Sequence, residues 1–598
     1  MVFPNGTQYE PTRAWLDLFN AIKNAQKFIY ITGWSVFTNI QLVRGEEDTE
    51  GESHVGELLK KKAEEGVRVL VLVWNEALND TPLWAGKMGT HDEETRSFFE
   101  DSNVHCILAN RQHADGGVQN TFSTTCYTHH QKTVICDAED EESGLRRVIA
   151  FIGGLDITDG RYDTCEFPLF STLNSLHTGD FYSNCIVGAT DETGPRQPWH
   201  DNHAKVEGPA ALDIKTNFEE RWKKQADTHV DRMYWHENEE FALDSTVQIP
   251  ENEGGYWNLQ LFRSITSDSC ILDESRQNVL HTKGGRIVEN SIMRCMVHQI
   301  RNAKNFIYME NQYFLGSACE WEEKPDTLAH HIVPTEIAQR IIDKIYAGED
   351  FKAYILIPMF PEGVPSDGPI QEILHWQHLT MNAMYKKIAK AIQENELDTK
   401  PKDYLQFFCL GKQEGPEDVP VDKLGEPEDG SEPAIIRSTL RHSIYVHSKM
   451  TIIDDDYVLI GSANINQRSL AGERDTEIAI GGYQPNHTVD EGDPRGDIHT
   501  YRMALWAAHF GGHNEVFLNP GSQECMEKVT EITQSYWDLY SADEPEHSNI
   551  HMLPYPIKVE EDGTVTNLDP PFDCFPDTSA NVLGQLSTLH TISTKITT

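Results

Sequence analysis

The chain writes one phrase twice. From Ala21 it reads A-I-K-N-A-Q-K-F-I-Y-I, and from Gln299 it reads Q-I-R-N-A-K-N-F-I-Y-M; in each place the end of an amphipathic helix runs into a strand. The segments downstream of the two copies also match. A helical segment over residues 55–65 leads into the apolar run 67–73, and a helical segment over 335–346 leads into 351–357. Continuous Val/Ile/Leu runs bounded by helices describe strands buried on both faces. The pattern predicts an α/β fold of two duplicated halves, each a mostly parallel or mixed sheet covered by helices.

The duplication carries its chemistry with it. Near the far end of each half, H-Q-K-T-V-I-C-D from His130 to Asp137 is answered by H-S-K-M-T-I-I-D from His447 to Asp454. On a strand, alternation points each His and its Lys (His130 and Lys132, His447 and Lys449) to one face, and a His beside a Lys makes an anion site. One such pattern arises by chance; two in equivalent places do not. Small residues come after both copies, Gly153-Gly154-Leu155-Asp156 and Gly461-Ser462-Ala463-Asn464, and let backbone approach a ligand closely. Further on, Arg161-Tyr162-Asp163-Thr164 parallels Glu473-Arg474-Asp475-Thr476-Glu477, so each half has a carboxylate that either orients an imidazole or forms a surface ion pair.

Together these residues resemble the phospholipase D superfamily, specifically its plant-type members. Supporting segments are I-T-G-W-S-V from Ile31, T-H-D-E-E-T from Thr90, G-R-Y-D-T from Gly160, P-W-H-D from Pro198, E-N-Q-Y-F-L-G-S from Glu310 and I-G-S-A-N-I-N-Q-R-S from Ile460. The resemblance runs from about Tyr9 to Gly584. It implies two halves packed about a pseudo-two-fold axis with one shared active site. The expected divisions are a first catalytic half (1–225), a connecting segment (226–285), a second catalytic half (286–514) and a C-terminal region (515–598).

The resemblance also implies roles. His130 is expected to attack phosphorus and give a phosphohistidine, and His447 to protonate the departing headgroup and then activate water. Lys132 and Lys449 are point charges for the nonbridging oxygens, joined by Asn464 and Gln312 as neutral phosphate contacts. Asp163 and Glu477 are candidates for orienting the imidazoles, with Asp475 as a competitor. Asp137 and Asp454 belong to the motif, yet lie five residues past their lysines, and a structural role competes with a catalytic one. The expected activity is hydrolysis of phosphatidylcholine or a related glycerophospholipid, with transfer to alcohols. The alternatives are a silent scaffold or a superfamily nuclease.

No cofactor is needed for that chemistry. Plant relatives carry calcium, both in an N-terminal lipid-binding sandwich and in the catalytic region; here the chain opens at Met1 almost directly before the catalytic phrase. Of the second site's ligands only His200 persists, Phe167 and Ala508 standing where a His and a Glu are expected, so calcium binding there looks eroded.

Composition narrows the partners. The net charge of -45 opposes polyanions, so nucleic acid is not expected. With no signal-like start and no apolar run of the ~20 residues that span a bilayer, membrane contact is expected to be peripheral. The eleven cysteines lack paired spacing, which points to reduced thiols and a cytoplasmic location. Residues 414–433 read as a solvated acidic loop, and Trp34, Trp257, Tyr313 and Trp506 as core aromatics more than as a lipid entrance.

Overall fold

The computed structural model describes residues 12–45, 53–76, 89–111, 126–139, 144, 146–233, 256–272, 280–283, 285–322, 327–491, 494–568, 572–586 and 597–598. Much of the expected connector lies outside these residues.

The first half is built on β1 (Phe28–Gly33), β2 (Arg68–Trp74), β3 (His105–Ala109), β4 (Thr133–Glu139), β5 (Arg146–Gly153) and, past the short β6 (Trp199–His200), β7 (His203–Glu207). They form one sheet in the order β3-β2-β1-β4-β5-β7, β1 running parallel to β2 and antiparallel to β4. The second half uses β8 (Asn258–Thr266), β9 (Leu280–Lys283), β10 (Arg286–Asn290), β11 (Phe306–Asn311), β12 (Lys352–Leu356), β13 (Leu405–Gln413), β14 (Arg441–Val446), β15 (Lys449–Ile453), β16 (Tyr457–Gly461) and β17 (Glu477–Tyr483). Its central order, β13-β12-β11-β15-β16-β17, repeats the first, again with β11 parallel to β12 and antiparallel to β15. The expected duplication is therefore present in topology. The segment expected to connect the halves supplies β8 and β9 to the second sheet.

Alternation explains why these strands carry apolar residues at nearly every position. Ile29, Ile31, Val69 and Val71 face Trp15, Leu18 and Ile22 of the helix Ala14–Asn24, while Phe28, Tyr30, Leu70 and Leu72 face Phe218 and Trp222 of the helix Pro209–Gln225. The second sheet repeats this, with Ile307 and Ile355 on one side and Tyr308 and Tyr354 beside Trp506 on the other. Trp506 is core as expected, and Trp34 stacks on Trp74 at 6.1 Å.

Two features tie the halves together. β6 leaves the first half and pairs with β14, becoming the edge of the second sheet. Glu414 does not lie in a solvated loop as expected: it is buried and accepts the backbone N–H groups of Leu169 and Phe170 at 2.9 and 3.0 Å. A carboxylate that collects N–H donors is better satisfied there than in water only if it is held, and both sides hold it. The C-terminal region adds β18 (Met552–Pro554) to β13. Among the described residues no helix is long and apolar enough to cross a membrane, and none of the eleven cysteines is in a disulfide.

Candidate active site

Both motif histidines lie just ahead of their strands, not on them as the alternation argument supposed. β4 begins at Thr133 and β15 at Lys449. The reason is that the backbone at each histidine bonds to the opposite half. His130 N donates to Thr476 O, with Thr476 N donating back to Thr128 O, and His447 N donates to His200 O. Each histidine thus crosses the interface, and the relation is reciprocal.

The carboxylates cross in the same way. His130 Nδ1 lies 3.0 and 3.1 Å from the two oxygens of Glu477 and 3.1 Å from the carbonyl of Ser462. A carbonyl only accepts, so Nδ1 carries the proton and Nε2 keeps its lone pair. Glu477 is itself fixed by the hydroxyls of Ser462 and Ser469, at 2.5 and 2.6 Å. On the other side His447 Nδ1 lies 2.6 Å from Asp201 Oδ2.

Asp201 replaces Asp163, which was expected in this role. Asp163 turns away to pair with Arg196 at 2.9 Å and to accept the N–H of Trp199; it braces the strand that presents Asp201. Asp475, the competitor, is paired with Arg468 and accepts Thr128 N. The signal for Asp201 was in the sequence, one residue past His200, but P-W-H-D has no counterpart in the repeat register.

Lys132 donates to Asp156 Oδ2 at 2.9 Å and to the carbonyl of His130. Lys449 donates to Gln312 Oε1 at 2.8 Å and to the carbonyl of His447. An ammonium has three donors, so each lysine keeps one for a ligand. Asn464 also donates to Gln312 Oε1 at 3.1 Å, and Gln312 donates to Tyr445 Oη at 2.8 Å. Lys449, Gln312 and Asn464 are thus brought together. Asp156 stands where the second half has Asn464, which gives Lys132 a charged partner and Lys449 a neutral one.

The four motif groups share one electrostatic environment. Burial, then Lys132 and Lys449, holds His130 well below its ordinary range. Burial does the same to His447, with Lys449, Lys132, Arg161 and His130 adding. Burial pulls Lys449 down to about 7 against the attraction of Asp201, and repulsion from Lys132 adds to the fall. Burial pushes Asp201 up to about 6. Glu477 is pushed up to about 8 by burial and by its neighbour Asp475. Groups held this far from their ordinary values and gathered this closely are what acid–base chemistry requires of a site. The His447 side of the site is aromatic: Trp199 packs on His447 with centroids 4.8 Å apart, and the Arg161 guanidinium lies 4.1 Å from the Trp199 ring. Sequence reasoning missed both.

Asp137 and Asp454 are not at the histidines. Asp137 accepts the N–H groups of Gln26, Lys27 and Phe28, and Arg146 pairs with it at 2.6 Å. Asp454 accepts those of Lys304, Asn305 and Phe306 at 2.6, 2.6 and 2.9 Å. Both cap the turn that launches the central strand of their half, and the repeated phrase at residues 21–31 and 299–309 is the other side of that contact. Placing them in the catalytic set is corrected by this geometry.

The residues that the resemblance assigns to calcium do not fit that ion. Phe167 packs its ring edge-on to His200 at 5.9 Å, and Ala508 offers a methyl group. Calcium takes 6–8 oxygen ligands, and these positions supply none from a side chain.

The family model described as Phospholipase D matches residues 21–584. Phospholipase D alpha 1 of Oryza sativa subsp. japonica is 46% identical over 601 residues, covering 98% of this chain and 74% of the relative. Phospholipase D alpha 2 of Arabidopsis thaliana is 46% identical over 598 residues, covering 97% and 74%. Among solved structures, the phosphatidylserine synthase of Haemophilus influenzae Rd KW20 superposes with a TM-score of 0.41 at 13% identity, covering 88% of this chain and 92% of that one. With two crossed histidine–carboxylate pairs over two lysines, and a family match over nearly all its length, the chain belongs to the phospholipase D family.

Proposed function

We propose that this phospholipase D hydrolyses phosphatidylcholine or a related glycerophospholipid to phosphatidate and free headgroup through a phosphohistidine on His130. The observation that carries the reading is the crossed pairing of His130 with Glu477 and His447 with Asp201. His130 Nε2 attacks phosphorus while Glu477 and the Ser462 carbonyl, both at Nδ1, hold the ring in line. The bond from phosphorus to the headgroup oxygen breaks, and that oxygen receives a proton from His447 Nε2, which takes it up once the negative charge of the bound phosphate offsets Lys132 and Lys449. The nonbridging oxygens gain negative charge in this step, and the spare donors of Lys132 and Lys449 face them. At ~4 Å one such charge is worth about 4 kcal/mol at an effective dielectric near 20, before desolvation is deducted. His447, now neutral, removes a proton from water; the water oxygen bonds phosphorus and the P–N bond breaks. A primary alcohol entering in place of water gives the phosphatidyl alcohol.

These residues supply nucleophile, acid and charge neutralisation by themselves, so no cofactor is assigned to the chemistry. Membrane contact is peripheral in this proposal, and the charge of -45 supports excluding nucleic acid as a partner. The test is incubation of the purified chain with phosphatidylcholine micelles and a primary alcohol, with calcium or chelator, beside His130→Ala. Phosphatidate and phosphatidyl alcohol are expected in both conditions and absent from the variant. A folded wild-type chain that forms neither would overturn the proposal and leave the scaffold.

A further inference from the structure

Behind Asp201, at the seam between the halves, two imidazoles and a carboxylate converge. His200 comes from β6 of the first half, Glu310 from β11 and His509 from the helix Asp497–His509 of the second. His200 Nε2 lies 2.8 Å from Glu310 Oε2, His509 Nε2 lies 3.1 Å from Glu310 Oε1, and the three ligand atoms all fall within 4.8 Å of one another. All three residues are buried, Glu310 completely. The hydrogen-bond partners of the Glu310 carboxylate are those two rings and the hydroxyl of Tyr308, which donates at 2.5 Å. No lysine or arginine among the described residues hydrogen-bonds it.

We propose that His200, Glu310 and His509 bind one divalent transition-metal ion of the zinc class, which staples the first half to the second beside the catalytic site. The donor set decides the ion. Two imidazole nitrogens and one carboxylate oxygen suit zinc or cobalt, whereas calcium needs an oxygen shell that Phe167 and Ala508 do not provide. The spacing is close to that of a bound ion: ligands at 2.0–2.2 Å on a tetrahedron sit about 3.4 Å apart, against 2.8 Å from His200 Nε2 to Glu310 Oε2 and 3.1 Å from His509 Nε2 to Glu310 Oε1, so binding needs the carboxylate to turn one oxygen toward both rings. Tyr308 then acts as the outer partner that orients the carboxylate. The ion takes no part in phosphoryl transfer. Its place is structural, because His200 directly precedes Asp201 and its carbonyl receives His447 N–H.

The test uses the full-length chain, chelator-treated, dialysed and titrated with Co²⁺, Zn²⁺ and Ca²⁺, reading visible absorption and the thermal midpoint. One equivalent of Co²⁺ is expected to give a d–d band that Zn²⁺ bleaches, and Zn²⁺ is expected to raise the midpoint where Ca²⁺ does not. Glu310→Gln and His509→Gln should each weaken Co²⁺ by more than the roughly 100-fold typical of losing an outer partner. A folded wild-type chain with neither band nor midpoint shift overturns the site, as does a band that both variants keep. A midpoint shift with Ca²⁺ alone overturns the choice of ion. The wild-type titration decides occupancy even where a variant does not fold.

Discussion

Asp201 and Asp163 are both buried carboxylates near His200, and only their partners tell them apart. Asp201 meets His447 at 2.6 Å, while Asp163 meets Arg196 at 2.9 Å. Asp201→Asn should therefore lower kcat by about 100-fold or more, the scale of a general acid's contribution, with the thermal midpoint little changed. Asp163→Asn should do the reverse, since it leaves a buried guanidinium without its carboxylate, a loss on the order of 3–5 kcal/mol. Headgroup release and melting curves on both variants separate the two; a D163N variant that melts normally but turns over slowly would restore the assignment that sequence reasoning made. Glu477 carries a pH prediction. Its folded value, pushed up to about 8, lies above the ordinary carboxylate value of 4.5, so between these values the folded chain holds a proton that the unfolded chain has released. Stability from this group is fully present below the ordinary value and is lost as pH rises through about 8. Melting points of the wild type should fall over that window more steeply than those of Glu477→Gln, and parallel curves would refute the assignment. The residues legible in sequence here were His130, Lys132, His447, Lys449, Asn464 and Glu477, which lie in segments that the repeat pairs, and Gln312, which came with the resemblance. Asp201 was not, because its segment P-W-H-D stands outside the repeat register and has no counterpart in the other half to single it out.

At the scale of elements, the repeated phrase is explained by a turn. The N–H groups of residues 26–28 and 304–306 emerge where a helix ends and a buried strand begins, and a buried N–H without an acceptor is costly. Asp137 and Asp454 meet that need from the neighbouring antiparallel strand. This sets the spacing from lysine to aspartate: five residues carry β4 or β15 back along the sheet to the start of β1 or β11. Asp137→Asn and Asp454→Asn should each cost on the order of 2–3 kcal/mol, the scale of hydrogen bonds to a charged group, while turnover below the melting range stays close to wild type. Denaturant midpoints and initial rates check this; a variant as stable as wild type but inactive would return these residues to the catalytic set. Helices and strands were legible because burial on both faces leaves so plain a pattern. The role of β6 was not, since two residues pairing with a strand 246 positions away leave no periodicity to read.

Across the whole molecule, two sheets of like order meet so that neither half holds a complete site, and the chain carries a net charge of -45. That charge sets how the enzyme approaches its substrate. A bilayer containing anionic lipid repels it over about one Debye length, ~30 Å at 0.01 M salt and ~8 Å at 0.15 M. Close approach is therefore costly at low salt and cheaper once ions screen both surfaces, the opposite of a protein that binds bilayers through a basic patch. Initial rates on vesicles of phosphatidylcholine mixed with anionic lipid should rise as salt increases between those two concentrations, while rates on pure phosphatidylcholine vesicles stay nearly flat. Product phosphatidate is itself anionic, so at low salt progress curves on neutral vesicles should bend early and straighten when salt is added. A rate on anionic vesicles that falls with salt instead would mean that the surface is polarised, with a local basic face outweighing the net charge where the lipid enters.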